Sequence, residues 1–478
     1  MTLFRRLFLA LSLLTIGLCI VPAAACGQVE NGSAEGDSRF SDDPVPLADV
    51  PQRPDPILEI GEPFLGTGTL SDGFTLPTGA VWRPAFLAYG TWRSATQGAS
   101  LGATDFAEAT TRFDLFGNLY LTQTERILVG LRPLDDNGRF TRYTLHTDPA
   151  LPDSLDGFQE ELNATVRTLF FEGDIGEIFP NLDPDDSGSW DIYFSVGRQP
   201  LRFQDGLLIN DNALDMVGLT RANMKPFGLV NTRATGVFGW GDVDRLNRGD
   251  PSAKLFGLFT ETDTRERTIE VDAIFVTSDR VRGDGLYGGI GSTRRIGHYN
   301  NTFRLVGSYP VGDETRFNRK GLLALNQLGW TPPGHSHNWV YINAFGSVGR
   351  FRSAARSPAV GGPLGRTGVL FAAVGLGRFG AALGNRADNA VGGSLGYQLF
   401  FDNHRKQLLL EGGGRYTYDK ADALGGRDAA AVGARYQMAL GRRFVLELGS
   451  FGSYTLSTLP ADVSAFDVGG RFEVTVKL

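Results

Sequence analysis

Apolar and polar residues alternate one for one along much of the chain, most plainly at its end. In SAFDVGGRFEVTVKL, Phe466, Val468, Phe472, Val474, Val476 and Leu478 share one parity, with Gly470 among them, while Asp467, Arg471, Glu473, Thr475 and Lys477 share the other. Successive side chains of a strand point to opposite faces, so the pattern predicts a strand with one greasy and one charged side. From Phe466 to Leu478 it runs thirteen residues, against about five or six for a soluble strand and about nine to eleven for a tilted membrane-crossing one. The length fits a membrane crossing.

The same alternation returns from Val81 onward in segments such as TTRFDLFGNLYL, RTIEVDAIFVTSD, NTFRLVGSYP, WVYINAFGSV, KQLLLEGGGRYTYD and RRFVLELGSFGSYTLS. Polar or glycine-bearing breaks separate them, as in an antiparallel up-and-down sheet. A sheet this long with one face against lipid has to close, because open edges would leave backbone groups without partners in hydrocarbon. At roughly two dozen residues per strand and connection, the pattern predicts one all-β antiparallel transmembrane barrel of about 16–18 strands. A soluble multidomain β-protein is the competing architecture.

The beginning of the chain carries a different pattern. Arg5 and Arg6 precede an apolar run from Leu7 to Val21, and Ala23, Ala24 and Ala25 follow, the layout of a secretory signal peptide over residues 1–25. No later run approaches the eighteen apolar residues of a membrane helix. Residues 26–56 read as a flexible, acidic, proline-containing leader with too few apolar groups to offset the entropy of ordering, and residues 57–478 as the barrel. Cys26 is either an ordinary residue after the cleavage site or a lipidated first residue. Because Cys19 falls within the signal, the mature chain retains one cysteine at most and has no internal disulfide.

Composition narrows the partners. The 63 glycines and 33 phenylalanines suit short-turned, aromatic-rich strands. A formal charge of −7 argues against a nucleic-acid partner, which needs concentrated positive charge, and is compatible with a locally basic channel. Mean hydropathy of −0.12 is too polar for a helical membrane protein and ordinary for a barrel whose alternate residues meet lipid.

The least repetitive polar stretch runs from Gly173 to Arg221. There the strand entering Gly197 is followed by Arg198, Gln199, Arg202, Asp205, Asn210, Asp215 and Arg221, interleaved with Phe203, Leu207, Leu208 and Ile209. These charges and amides predict a folded-in loop or lumen-facing strand pair in which guanidinium and carboxylate groups narrow the pore; a solvated loop tied by structural ion pairs is the alternative. The run Gly197-Arg198-Gln199, Phe203, Asp205-Gly206, Leu208-Ile209, Asn210, Asp215 and Arg221 resembles the alginate-export family of bacterial outer-membrane barrels. The resemblance implies a monomeric barrel of about eighteen strands in the bacterial outer membrane, with Arg198, Arg202 and Arg221 as lumen cations and Asp205 and Asp215 as their partners. Pro200, the Asn212-Ala213-Leu214 run and the terminal Leu478 depart from that family's pattern, so the class carries over and alginate itself does not.

These readings predict a porin-like conduit for small polar or anionic solutes, with polysaccharide export as a further option and outer-membrane lipid as the surroundings. A channel needs a hydrated path and a field of the correct sign, and no catalytic group or cofactor. The alternatives are an outer-membrane hydrolase, for which Ser308 or Ser347 would need a histidine in reach, and a barrel without transport. His335 and His337 sit at metal-ligand spacing but have no third ligand nearby in sequence, so no metal site is assigned.

Overall fold

The computed structural model describes residues 53–62, 71–101, 104–147, 156–185, 187–334, 337–418, 428–455 and 466–478. The segment expected to be an export signal, the expected leader as far as residue 52, and His335 lie outside the described residues.

The alternating segments become eighteen barrel strands. They are β1 (Ala85–Leu101), β2 (Thr104–Tyr120), β3 (Arg126–Leu131), β4 (Val166–Asp174), β5 (Ile192–Phe203), β6 (Ile209–Met224), β7 (Asn231–Trp240), β8 (Lys254–Asp263) and β9 (Arg267–Thr277). There follow β10 (Asp284–Ile296), β11 (Tyr299–Val311), β12 (Gly321–Trp330), β13 (Trp339–Gly349), β14 (Ala390–Phe401), β15 (Lys406–Thr417), β16 (Ala429–Leu440), β17 (Phe444–Thr455) and β18 (Phe466–Lys477). Each pairs antiparallel with its neighbours, and β18 closes on β1 from Val468↔Ser100 to Lys477↔Thr91. Closure leaves the wall without an open edge, as a lipid-facing sheet requires.

β3 is interrupted. After an excursion at 132–138 the chain resumes its place beside β2 as Arg139–His146, from Thr111↔Thr141 to Phe106↔His146. Short connections such as 264–266, 297–298 and 441–443 gather at the end of the barrel where β1 starts and β18 finishes. The opposite end carries the longer connections, including 241–253 and 350–389. This asymmetry is that of outer-membrane barrels, with short turns on the periplasmic side and long loops outside.

The terminal strand behaves as its alternation predicts. Asp467, Arg471 and Glu473 are buried inside the barrel, while Phe466 and Phe472 stand 57% and 42% exposed on the outer wall. On β8 to β12, however, inward positions are apolar too: Leu255, Phe259, Ile274, Val276, Tyr287, Val306, Leu323 and Leu325 are at most 2% exposed. They are covered from inside the barrel. Phe351, Leu364, Leu370 and Phe371 of the 350–389 connection and Leu207, Leu208 and Ile209 of the β5–β6 hairpin join them in one core within the barrel's circumference. A connection rich in alanine and leucine thereby removes apolar surface from a lumen that would otherwise be water-filled.

Candidate functional site

Among the described residues, two chain segments that enter the lumen are each held by polar side chains of the wall. The 350–389 connection leaves β13, and on the β13–β15 side its Thr367 carbonyl accepts hydrogen bonds from Asn343 Nδ2 at 2.8 Å and Ser394 Oγ at 2.7 Å. Glu411 of β15 accepts from the backbone N–H groups of Val369 at 2.7 Å and Leu370 at 3.4 Å. The segment then reaches the wall around the closing seam, at β18, β1 and β2. There the Leu376 carbonyl accepts from Gln97 of β1 at 3.2 Å and Arg471 of β18 at 3.1 Å, and Glu108 of β2 accepts the Arg378 N–H at 2.7 Å. Backbone groups that would be orphaned in mid-lumen are thus satisfied by wall residues.

The tip of the β5–β6 hairpin makes the second crossing. Gln204 and Asp205 turn in the left-handed region, both at φ 52°. Gln204 donates to Asp272 of β9 at 2.8 Å, and Arg304 of β11 donates to Asp205 at 2.8 Å and to Gln204 Oε1 at 3.1 Å. Arg304 also pairs with Glu270. The two crossings are bonded to each other: Asn210 N–H donates to the Ala355 carbonyl at 2.9 Å and Ala354 N–H to the Leu208 carbonyl at 2.8 Å. Arg356 lies buried at this joint, donating to the Gly361 carbonyl at 2.9 Å, the Gly362 carbonyl at 2.8 Å and the Gly206 carbonyl. Burial first, and the nearby Arg202 second, push its guanidinium down to about 9.

Arginines line the wall that the 350–389 connection reaches. Arg93 of β1 meets Glu473 at 2.6 Å, Arg112 of β2 meets Asp114 at 2.8 Å, Arg132 meets the same Asp114 at 2.6 Å, and Arg142 lies 3.7 Å from Glu108. Register continues the row through Arg471↔Gln97 and Arg471↔Gly449 to Arg435↔Gly449 on β16. Side chains of Arg93, Arg112, Arg132 and Arg142 keep 14–27% of their surface exposed. Shared carboxylates hold these guanidiniums in place while leaving N–H donors toward the lumen, an arrangement suited to passing carboxylate or phosphate groups.

The residues singled out from sequence separate into two groups. Arg202, Asp205 and Asn210 come together at the crossing hairpin tip, where Arg202 stays exposed at 4.0 Å from Asp205. Gln199 is buried and donates to Ser195 at 3.0 Å. Arg198 and Asp215 pair bidentately, both bonds at 2.8 Å, but they share the row of Val196 and Leu219, which are 42% and 52% exposed on the outer wall. Their geometry is a cross-strand clamp on that outer row. Arg221 donates to the Ser189 carbonyl at 2.6 Å and the Gly188 carbonyl at 3.0 Å, tying the 175–191 connection to the short-turn rim. Asp205 therefore finds its principal cation in Arg304, a residue its sequence neighbourhood does not contain.

Among the described residues neither competing chemistry gathers its parts. Ser308 donates to the Arg319 carbonyl at 2.7 Å and Ser347 to the Ala390 carbonyl at 3.1 Å, so both serve loop attachment. His337 packs edge-to-face on His404 with ring centroids 4.4 Å apart. Among the described residues no group of three or more metal-ligating side chains converges.

This is the architecture of a porin-type barrel, and the comparisons agree at the level of fold. No family model matches the chain, and no curated protein matches it. The structure is similar to Pseudomonas aeruginosa OccK2 (OpdF), with a TM-score of 0.52 and 8% identity over 82% of this chain and 98% of that one. It is likewise similar to Pseudomonas aeruginosa OccK11 (OpdR), with a TM-score of 0.51 and 10% identity over 82% and 96% of the two chains. A structure of OccK2 in complex with glucuronate matches with a TM-score of 0.52 and 9% identity over 82% and 98%. These neighbours are OccK outer-membrane proteins rather than alginate-export barrels, so the resemblance at 197–221 holds for the porin-like barrel and not for that family.

Proposed function

We propose that this protein is a channel of the bacterial outer membrane that passes small anionic solutes, chiefly carboxylates, one at a time. The observation that carries the reading is the row of inward arginines on β16, β18, β1 and β2, with Arg132 and Arg142, facing the segment that crosses the lumen. Positive groups at a narrowing lower the energy of an anion there, and shared carboxylates keep the attraction weak enough for release. Glucuronate, the ligand of the OccK2 complex, belongs to the solute class the row would favour. The buried core around Phe351, Leu364, Leu370 and Phe371 stands where a polymer would need continuous width, which favours small solutes over polysaccharide export. Arg202, exposed at the hairpin tip, is proposed as a further contact on the path. Closure within one chain is compatible with a monomeric channel.

The test is planar-bilayer conductance under a salt gradient, comparing the wild type with Arg93→Gln, Arg112→Gln and Arg202→Ala. The reversal potential is expected to move away from anions in the wall variants. Conductance with unchanged selectivity in all three would refute the proposed path.

A further inference from the structure

Outside the lumen, the lipid-facing side of β9–β11 ends in an unusual pair of charges. Register stacks its outward rows from the long-loop end as Phe275–Leu286–Tyr309, Ala273–Gly288–Gly307, Val271–Ile290–Leu305 and Ile269–Ser292–Phe303. The next row toward the short-turn end is Arg267–Arg294–Asn301. Below the apolar band, then, two arginines stand directly opposite each other on neighbouring strands. Like charges so placed repel unless an anion lies between them.

No nearby carboxylate takes that place. Among the described residues neither Arg267 nor Arg294 forms an ion pair; Glu270 faces inward onto Arg304, Glu261 is engaged by Arg233 at 2.7 Å, and Asp263 accepts from Thr268 at 2.7 Å. Glu266 is exposed in the turn beyond them. One step further toward the rim, Tyr299 and Trp330 pack with ring centroids 5.6 Å apart, and Tyr299 and Ile296 are each 44% exposed. Aromatic rings of this kind collect at the headgroup level of a bilayer. Position and charge therefore coincide: a cation pair lies at the depth where lipid phosphates lie.

We propose that Arg267 and Arg294 bind the phosphate of an anionic glycerophospholipid in the leaflet at the short-turn end, each guanidinium taking phosphate oxygens while Phe303, one row nearer the bilayer centre, lies beside the lipid's apolar part. The inference rests on the reading of the barrel as membrane-spanning. Guanidinium suits the task because its fork matches phosphate oxygens and its charge persists at any physiological pH.

The protein is reconstituted into phosphatidylcholine vesicles with and without phosphatidylglycerol, alongside the double variant Arg267→Gln/Arg294→Gln, and both are assayed by thermal unfolding and by mass spectrometry of co-released lipid. Wild type is expected to unfold at higher temperature when phosphatidylglycerol is present and to retain it, whereas the double variant loses retention roughly tenfold, the scale of one charge-assisted contact. In phosphatidylcholine alone the variant is expected to be at least as stable as wild type, because the repulsion has gone; a purely structural role for the arginines would instead lower it. Equal responses of the two proteins to phosphatidylglycerol would overturn the proposal, as would reproduction of the stabilisation by inorganic phosphate in phosphatidylcholine vesicles. Bilayer conductance separates the two failures: a lost lipid response with conductance intact refutes the lipid site alone, while absence of insertion in either lipid refutes the membrane reading itself.

Discussion

Replacing Gly368 by alanine should release the lumen-crossing segment from β15. Gly368 holds φ +123°, and a Cβ built there would lie 2.2 Å from Glu411 Oε1 and 2.6 Å from Oε2. The carboxylate cannot stay where it accepts the Val369 and Leu370 N–H groups. Each hydrogen bond to a charged group contributes about 1.5–3 kcal/mol, so losing both removes about 3–6 kcal/mol. Forcing a side chain into so sparsely populated a backbone region adds about 1–3 kcal/mol. Against this stands the burial of Leu370 and Phe371, 1% and 0% exposed, which opposes release by about 1.5–3 kcal/mol per side chain. The opposing sums are comparable, so the segment should open locally while the barrel stays folded. Even the smaller end of that loss, about 4 kcal/mol, corresponds to roughly a thousandfold faster local hydrogen exchange. Exchange at residues 366–372 and single-channel conductance are the assays, with conductance expected to rise and to become noisier. Gly236→Ala is the control, since nothing lies within 4 Å of a Cβ there and its φ is ordinary. Unchanged exchange and conductance in Gly368→Ala would show that the Glu411 attachment does not hold the segment.

The joint between the crossings should respond to pH. Asp244, in the 241–253 connection, is pushed up to about 7 by burial first and by the neighbouring Asp211 second. A carboxyl whose folded pKa is raised contributes stability that is complete below its unfolded value, near 3.8, and is lost as pH rises through about 7. Thermal unfolding of the loop core is therefore expected to fall between pH 5 and pH 8.5 in wild type and to flatten in Asp244→Asn; equal slopes would refute the assignment. On the terminal strand, Val474→Arg on the lipid face should cost about 2–4 kcal/mol in lipid. Thr475→Arg, facing inward, should cost less in the same unfolding measurement. Equal costs would overturn the facing.

How much of this was legible before the structure depends on the range of the interactions. Alternation is local, and once one face must meet lipid it assigns both faces of a strand. Phe472 and Glu473 could thus be placed from sequence, and closure followed because backbone groups in hydrocarbon need partners. The count of eighteen falls at the upper edge of the expected range, since each strand with its connection leaves a local trace.

The candidate site was less legible. Over 196–215 charges and apolar groups mix on both parities, so the faces are not assigned there, and Arg198 and Asp215 read equally well as lumen groups until the exposed Val196 and Leu219 beside them identified their row as the outer one. Asp205 reads as a partner for nearby arginines, yet its partner Arg304 lies ninety-nine residues away. The main lumen crossing carried a cue of a different kind. Residues 350–389 break the strand train for longer than any hairpin needs and hold six arginines, Arg350, Arg352, Arg356, Arg366, Arg378 and Arg386, against the single carboxylate Asp388. That cue marks an unusual basic connection. Whether it spreads over the rim or folds inward depends on Asn343, Ser394, Glu411, Glu108 and Gln97 meeting its backbone from five different strands. Such long-range hydrogen bonds and apolar contacts have no periodic signature, so the sequence by itself determined the wall and its two faces, while only the closed barrel decided what crosses its lumen.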